Sequence, residues 1–266
     1  MPTPIGNLGD ITLRAIECLK SADLIAAEDT RHTAKLLAHL GIDRPLSRLD
    51  AHTIAERGLK VLARHEVVAL VSDAGTPGIS DPGAELVRLA LQARHTVEAL
   101  PGPTAFVPAL ILSGLPTARF AFEGFLPRRG GARRSRLTGI AASERTTLLY
   151  EAPGRLASTL DDLAQACGQE RAASVSRELT KLHEETVRGT LADIIRHYQG
   201  RTVKGEVVIV VGPAPPSEDA GEADKWRATA AALAKAGIAG RTLQNALAAL
   251  GAPRNLAYQL AMRAGG

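Results

Sequence analysis

The sequence predicts an α/β protein: two α/β domains in succession, then a small C-terminal helical appendage. Three observations predict it. Short β-branched runs such as EVVALV, TTLLY and EVVIVV alternate with stretches whose apolar residues recur at helical spacing. The texture changes near residue 116, where an Arg-rich segment separates two strand–helix series. The segment PAPPSEDAGEAD, with little to bury, then sets off the C-terminal residues. The expected boundaries are 1–115 for the first domain, 116–213 for the second, 214–224 for a linker and 225–266 for the tail.

Taken in order, DITLRAIECLKSA places Ile11, Ala15, Cys18 and Leu19 on one helical stripe, and DLIAAEDT is a strand with a polar end. RHTAKLLAHLGI is a helix stopped by Gly41. EVVALVSDAG is a strand, followed by a helix with Asp81 as N-cap and Pro82 at its first position. TVEALPGP is a strand, and a helix follows over about residues 104–113. Strands alternating with helices predict a mainly parallel first sheet. In the second half, TTLLYEAPGRLASTLDDLAQAC is strand then helix, and RAASVSRELTKLHEETVRGTLADIIRHY is strand, loop and helix. GEVVIVVGPAPP is a strongly apolar strand, and a separate mixed sheet is expected here. The tail reads as three short helices broken at Gly240 and at Gly251–Pro253, either a small appendage of helix-turn-helix outline or a tail that simply packs on the body or on a partner subunit.

The 266 residues are 45% hydrophobic but only 3% aromatic, so Leu, Ala, Val and Ile must fill the core. Cys18 and Cys167 stand far apart in helix-like contexts, which implies neither a disulfide framework nor a metal pair. No apolar run reaches the roughly 18 residues of a membrane span, and there is no basic-then-apolar leader. A soluble cytoplasmic protein, with no membrane contact and no catalytic metal, is expected. The net charge is +4, and its distribution says more than its sum. PRRGGARRSR (127–136) holds Arg128, Arg129, Arg133, Arg134 and Arg136 and no acid. Guanidinium forks suit phosphates, so these arginines are candidate RNA contacts on a loop expected to be mobile until RNA binds.

The segment VSDAGTPGISDPG (71–83) spends Gly, Pro, Asp, Ser and Thr at a strand end. In open α/β sheets ligands bind beyond the carboxyl ends of strands, and Gly lets a ligand approach the main chain. Similar residues follow other strands: Pro4-Ile5-Gly6-Asn7, Glu28-Asp29-Thr30 and Pro101-Gly102-Pro103-Thr104. A turn with a helix cap accounts for any one of these; four in register point to a shared site. No Gly-Lys-Ser/Thr phosphate loop and no helix-opening G-x-G-x-x-G is present, which leaves nucleosides and sulfonium cofactors. Arg177, Glu178, Lys181 and Glu184 form a further charged cluster, either a salt-bridged surface or a rim of the site.

TPIGNLGDITLRA, DLIAAEDTRHTAKLLAHLGI, VSDAGTPGISDPG, LPGPTAFVPALILSGLP, FEGFLP, SRELTKLHEETVRGTL and KGEVVIVVGP together resemble the tetrapyrrole methylase superfamily. Within it they resemble the branch that methylates small-subunit ribosomal RNA. The resemblance covers residues 2 to about 212. It implies two α/β domains with a cofactor cleft between them and S-adenosyl-L-methionine as methyl donor. It also implies 2′-O-methylation of a cytidine ribose in 16S rRNA, in the RNA or the assembled 30S subunit, and a homodimer. The residues it implies for the cofactor are Pro4, Asp73, Ala74, Gly75, Thr76, Ile79, Thr104, Ala105, Tyr150, Glu151, Glu206 and Val207. Thr76 stands where the superfamily has Asp. Candidate proton acceptors are Asp73, Glu28 and Asp29, with Asp81 as a further carboxylate; Asp29 and Asp81 also suit helix caps. Arg31 is placed to orient a carboxylate or an RNA phosphate.

Two departures from the family stand out. The apolar first strand before TPIGN is missing or shortened, and SRLDAHT (47–53) keeps only His52 of a His-rich polar loop. Two other readings remain at this point: methylation of a tetrapyrrole or other small molecule, and a non-catalytic RNA-binding factor.

Overall fold

The computed structural model describes residues 1–215 and 218–263. Contacts divide the chain into two compact units, Met1–Pro213 and Ala214–Gly266.

The first unit holds two sheets. The first contains β1 (Leu24–Ala27), β2 (Leu46–Arg48) and β3 (Val68–Val71) in the parallel order β2-β1-β3. Parallel neighbours need crossovers, supplied by α2 (Thr30–Leu40) and α3 (Ile54–Leu62). All four β1 residues are buried, as a strand covered on both faces requires. α1 (Leu13–Ser21) starts where Thr12 Oγ1 accepts the Ala15 N–H at 3.1 Å. α2 starts on Asp29 and ends on Gly41, whose φ of 65° lets Ile42 N–H reach back to the Leu37 carbonyl. α4 (Gly83–Gln92) packs with α3. The helix starts one residue later than expected, with Pro82 at the cap position, while Asp81 Oδ1 accepts from the Gly83 N–H at 2.6 Å and from the Gly78 N–H at 2.8 Å.

This part of the chain differs from expectation in three elements. β2 overlaps the segment 47–53 expected to be a polar loop, and α3 lies where no element was expected. The strand expected over 96–100 is instead largely exposed chain that joins no sheet. Alternation alone does not make a strand; a backbone partner is needed. Near β3, the Met1 ammonium donates to the Leu70 carbonyl at 2.6 Å, and Thr3 exchanges two backbone bonds with Gly75.

The second sheet contains β4 (Phe120–Phe125), β5 (Thr146–Glu151), β6 (Ala172–Arg177), β7 (Glu185–Thr190) and β8 (Val207–Val211), in the order β4-β5-β8-β6-β7. Only β4–β5 is parallel, so the sheet is mixed. The central β8 reads VVIVV and is buried throughout. Its period of two divides the core. Val207, Ile209 and Val211 join the cluster under α6 (Gly131–Ala141), α7 (Leu156–Cys167) and α8 (Leu191–Tyr198). Val208 and Val210 join Ala109 and Leu110 of α5 (Phe106–Ser113) and Ile5 on the other face. Although α5 precedes residue 116, it packs on the second sheet. β7 was expected to be loop: ETVRGT offers one strongly apolar residue, Val187, because it is an edge strand with a mostly solvated surface.

The Arg-rich segment is not a mobile loop throughout. Arg133, Arg134 and Arg136 lie on α6. Arg133 is buried, its guanidinium held by Asp162 (2.7 Å), Thr159 Oγ1 (2.9 Å) and the Pro127 carbonyl (3.0 Å). It is therefore a structural arginine and not the phosphate contact expected of it. Arg136 pairs with Glu123. Arg128, Arg129 and Arg134 are exposed, and no acid pairs with them among the described residues.

The second unit contains α9 (Glu218–Lys235), α10 (Gly240–Ala249) and α11 (Arg254–Arg263) around its own core of Trp226, Leu243, Leu247, Ala257 and Leu260. The expected linker, 214–224, overlaps α9, which begins at Glu218; residues 216 and 217 lie outside the described residues. Among the described residues no helix is long and apolar enough to cross a membrane.

Candidate active site

The loops leaving β3 and entering α5 meet the ends of β4, β5 and β8 around one cavity of about 330 Å³. From the first half of the unit it is lined by Ile5, Ala74, Gly75, Thr76, Ile79, Thr104 and Ala105. From the second sheet come Phe125, Tyr150–Pro153, Leu179 and Gly205–Val208. Ten residues expected at a ligand lie on this wall: Ala74, Gly75, Thr76, Ile79, Thr104, Ala105, Tyr150, Glu151, Glu206 and Val207. Pro4 and Asp73 do not line it; Ile5 takes the place expected of Pro4.

Local chemistry fixes these loops. Ser72 Oγ donates to the Gly75 carbonyl at 3.1 Å, and Thr3 Oγ1 to the Ser72 carbonyl at 3.1 Å, which pins the N-terminal segment on the loop. Thr76 Oγ1 donates to the Pro103 carbonyl at 3.0 Å and so joins the loops after β3 and before α5. Gly75 turns at φ +79°, leaving bare main chain on the cavity wall. Gly205, at φ +84°, lies against the Glu178 carboxylate so closely that a Cβ would collide with it. That carboxylate accepts from Lys181 Nζ (2.9 Å), which also reaches Glu206 (3.2 Å). The charged cluster 177–184 is thus an internally paired rim, with Arg177 on Glu185 and Glu184 on the Thr180 N–H.

Sequence reading named Tyr150 but missed Phe125, the other aromatic residue of the wall. The chain has four Phe, and all four join Tyr150 in one linked set of ring contacts: Phe120–Phe106–Phe122–Tyr150–Phe125. The β4–β5 register shifts between Phe122 and Phe125, and Gly124 there has φ +63°. The bulge turns Phe125 out onto the cavity, edge-on to Tyr150. Gly124 inside an apolar strand was the signal available in the sequence. Burial pushes the Tyr150 hydroxyl pKa up, opposed by the backbone N–H groups of Phe106 and Ala105.

The acidic residues divide by role. Glu151 is buried, with its carboxylate held by the Ala152 N–H (2.8 Å), Thr159 Oγ1 (2.7 Å) and Arg155 (3.1 Å). It is a packing group whose backbone faces the cavity. Asp29 caps α2 and is clasped by Arg31 at 2.7 Å, which holds its carboxyl well below the usual range. Arg31 is thereby occupied too. Asp73 Oδ1 accepts the Asp29 N–H at 3.0 Å and ties the ends of β1 and β3. Glu28 follows the last β1–β3 pair, Ala27–Val71, and is half-buried. Desolvation raises its pKa, aided by Asp73, Asp81 and Asp50 and opposed by Arg48. Among the described residues no cluster of His, Cys, Asp and Glu could hold a metal ion.

A mostly apolar cavity of this size at the strand ends of an α/β fold, with no Lys or Arg in its lining, is the kind of place where enzymes of such folds hold a small ligand. The chain belongs to the tetrapyrrole (corrin/porphyrin) methylases, whose family model matches residues 2–195. It is 52% identical over 219 residues to "Ribosomal RNA small subunit methyltransferase I" of Synechocystis, covering 81% of this chain and 78% of that one. It is 48% identical over 261 residues to the protein of the same name from Xylella fastidiosa, covering 96% and 95%. Among solved structures it is similar to the uroporphyrin-III C-methyl transferase of Thermus thermophilus complexed with S-adenyl homocysteine. That match has a TM-score of 0.54 and 23% identity, and covers 78% of this chain and 94% of that one.

Proposed function

We propose that this chain transfers a methyl group from S-adenosylmethionine to the 2′-hydroxyl of a cytidine ribose in 16S rRNA, as a cytoplasmic homodimer acting on the RNA or the 30S subunit. The observation that carries the reading is the single cavity on which strand-end loops of both sheets converge, lined without a basic side chain. The names of the relatives support the RNA substrate.

The cavity suits the donor chemically. Ile5, Ile79, Leu179 and Val207 offer apolar faces to an adenine, and Ala74–Thr76 and Thr104–Ala105 offer main chain. When bound, S-adenosylmethionine supplies an electrophilic methyl carbon and a neutral thioether leaving group. The chain's share is to hold a ribose oxygen in line, exclude water and take up the hydroxyl proton. Glu28 is the proton acceptor in this reading: it follows the last β1–β3 pair and so stands beside the loop whose Ala74–Thr76 line the cavity, itself outside that lining, and desolvation raises its pKa. Asp73 holds the Asp29 backbone and so positions the Glu28 segment. Asp29 remains the cap of α2. Arg128, Arg129 and Arg134 take RNA phosphates; Arg133 does not.

Radiolabelled donor incubated with unmodified small subunits is expected to label the 16S rRNA on ribose. No label in RNA, with label in a porphyrinogen, would overturn the reading in favour of a small-molecule substrate. Changing Arg128, Arg129 and Arg134 together to Ala is expected to lower the salt slope of RNA binding by about 2; an unchanged slope removes them from the interface. Gly205→Ala forces a side chain into the left-handed region and against Glu178. S-adenosylmethionine binding, measured by calorimetry, is expected to weaken about tenfold. An unaltered Kd would detach the Glu178–Lys181 rim from the donor site.

A further inference from the structure

The C-terminal unit carries a face that methyl transfer does not use. Residues 225–263 contain Lys225, Arg227, Lys235, Arg241, Arg254 and Arg263 and not one Asp or Glu; the acids of the tail all precede Lys225. α10 and α11 are joined by a tight turn. Gly251 has φ +99°, and the Ala252 N–H reaches back to the Leu247 carbonyl at 3.0 Å, which closes α10 and starts a new helix at once. One side of α11 is committed to the core through Ala257, Leu260 and Ala261. The other side shows Arg254, Asn255, Tyr258, Gln259 and Met262 to solvent, at the spacing of one helical face. Tyr258 is 54% exposed and Met262 65% exposed. Cation, amide donors and an outward aromatic, with no carboxylate in the whole helix pair, complement a polyanion with accessible bases.

We infer that the α10–turn–α11 hairpin is a separate RNA-contact surface, with Arg241 and Arg254 on phosphates and Tyr258 stacked on an unpaired base. The inference rests on the proposed rRNA substrate. A helix cannot read the deep, narrow major groove of A-form RNA, so its target is a loop or single-stranded segment, where aromatic stacking and amide contacts work.

The test uses the full chain and a fluorescent single-stranded 16S rRNA fragment, with anisotropy read across a salt series. Arg241→Gln with Arg254→Gln is expected to lower affinity at least tenfold and the salt slope by about 1.4. Tyr258→Ala is expected to lower affinity about fivefold or more with the slope unchanged. Calorimetry with S-adenosylmethionine should give the wild-type Kd for all variants, which verifies the fold of the catalytic unit, and circular dichroism verifies the tail helices. Wild-type affinity and slope in folded variants would overturn the inference alone. So would an altered sedimentation coefficient with RNA binding intact, which would assign the face to a protein contact. If the unaltered chain binds no rRNA at all, the proposed substrate falls with it.

Discussion

Glu28→Gln is expected to lower methylation of small subunits by about 10²–10⁴-fold while leaving S-adenosylmethionine affinity unchanged. The residue follows β1 at the sheet's carboxyl edge, half-buried, within electrostatic reach of Asp73, Asp81, Asp50 and Arg48. Burial and the three acids disfavour its charged form, so its pKa lies above the ordinary 4.5. A base must be deprotonated, so the acid limb of the rate profile should fall as pH drops through that raised value. In Glu28→Gln this limb should vanish together with the rate. The stability sign is opposite. A carboxyl whose folded pKa is raised stabilises the fold below its unfolded pKa, and that contribution is lost as pH rises through the folded one. At neutral pH the Gln variant should therefore melt no lower than the parent. A variant with near-normal turnover, or one that loses activity by unfolding, would remove Glu28 from the reaction.

Arg133→Ala is expected to cost about 3 kcal/mol of stability and to lower Tm by roughly 6–12 °C, with little change in RNA affinity. Its guanidinium satisfies Asp162, Thr159 and the Pro127 carbonyl at once, and Thr159 in turn donates to buried Glu151. Removing it leaves Asp162 without its cation and Thr159 Oγ1 and the Pro127 carbonyl without their donor, while buried Glu151 keeps Arg155. Asp162 is 39% exposed and recovers water, which keeps the loss near the lower end for such pairs. Arg133→Lys keeps charge but not the fork, and should fall between. Thermal melting in parallel with RNA anisotropy decides the matter. A variant with unchanged Tm and weakened RNA binding would restore Arg133 to the phosphate contacts.

The two arginine predictions rest on the same ten residues, 127–136, and show where reading along the chain stops. Composition marks the segment as basic. It does not say that helical phase turns Arg133 inward to Asp162 while Arg134 faces water. The same holds for TVEAL, which has a strand's pattern but no paired neighbour, and for ETVRGT, which lacks a strand's composition but is paired with β6. Phe125 was recognisable as apolar. Only the bulge at Gly124 brings it to the cavity.

Legible along the chain were most of the strand–helix alternation, with β2, α3, β7 and residues 96–100 as the exceptions, the mixed second sheet, the helical tail, and strand-end loops too small and too polar for packing. These follow from spacing, turn chemistry and caps, which act over a few residues. The tertiary structure alone decided which carboxylates are occupied: Asp29 by Arg31, Glu151 by Thr159 and Arg155, Asp73 by a backbone N–H, with Glu28 left raised among like charges. Charge and hydrogen bonding depend on distance in space, and the partners stand as far as 44 positions apart in the chain.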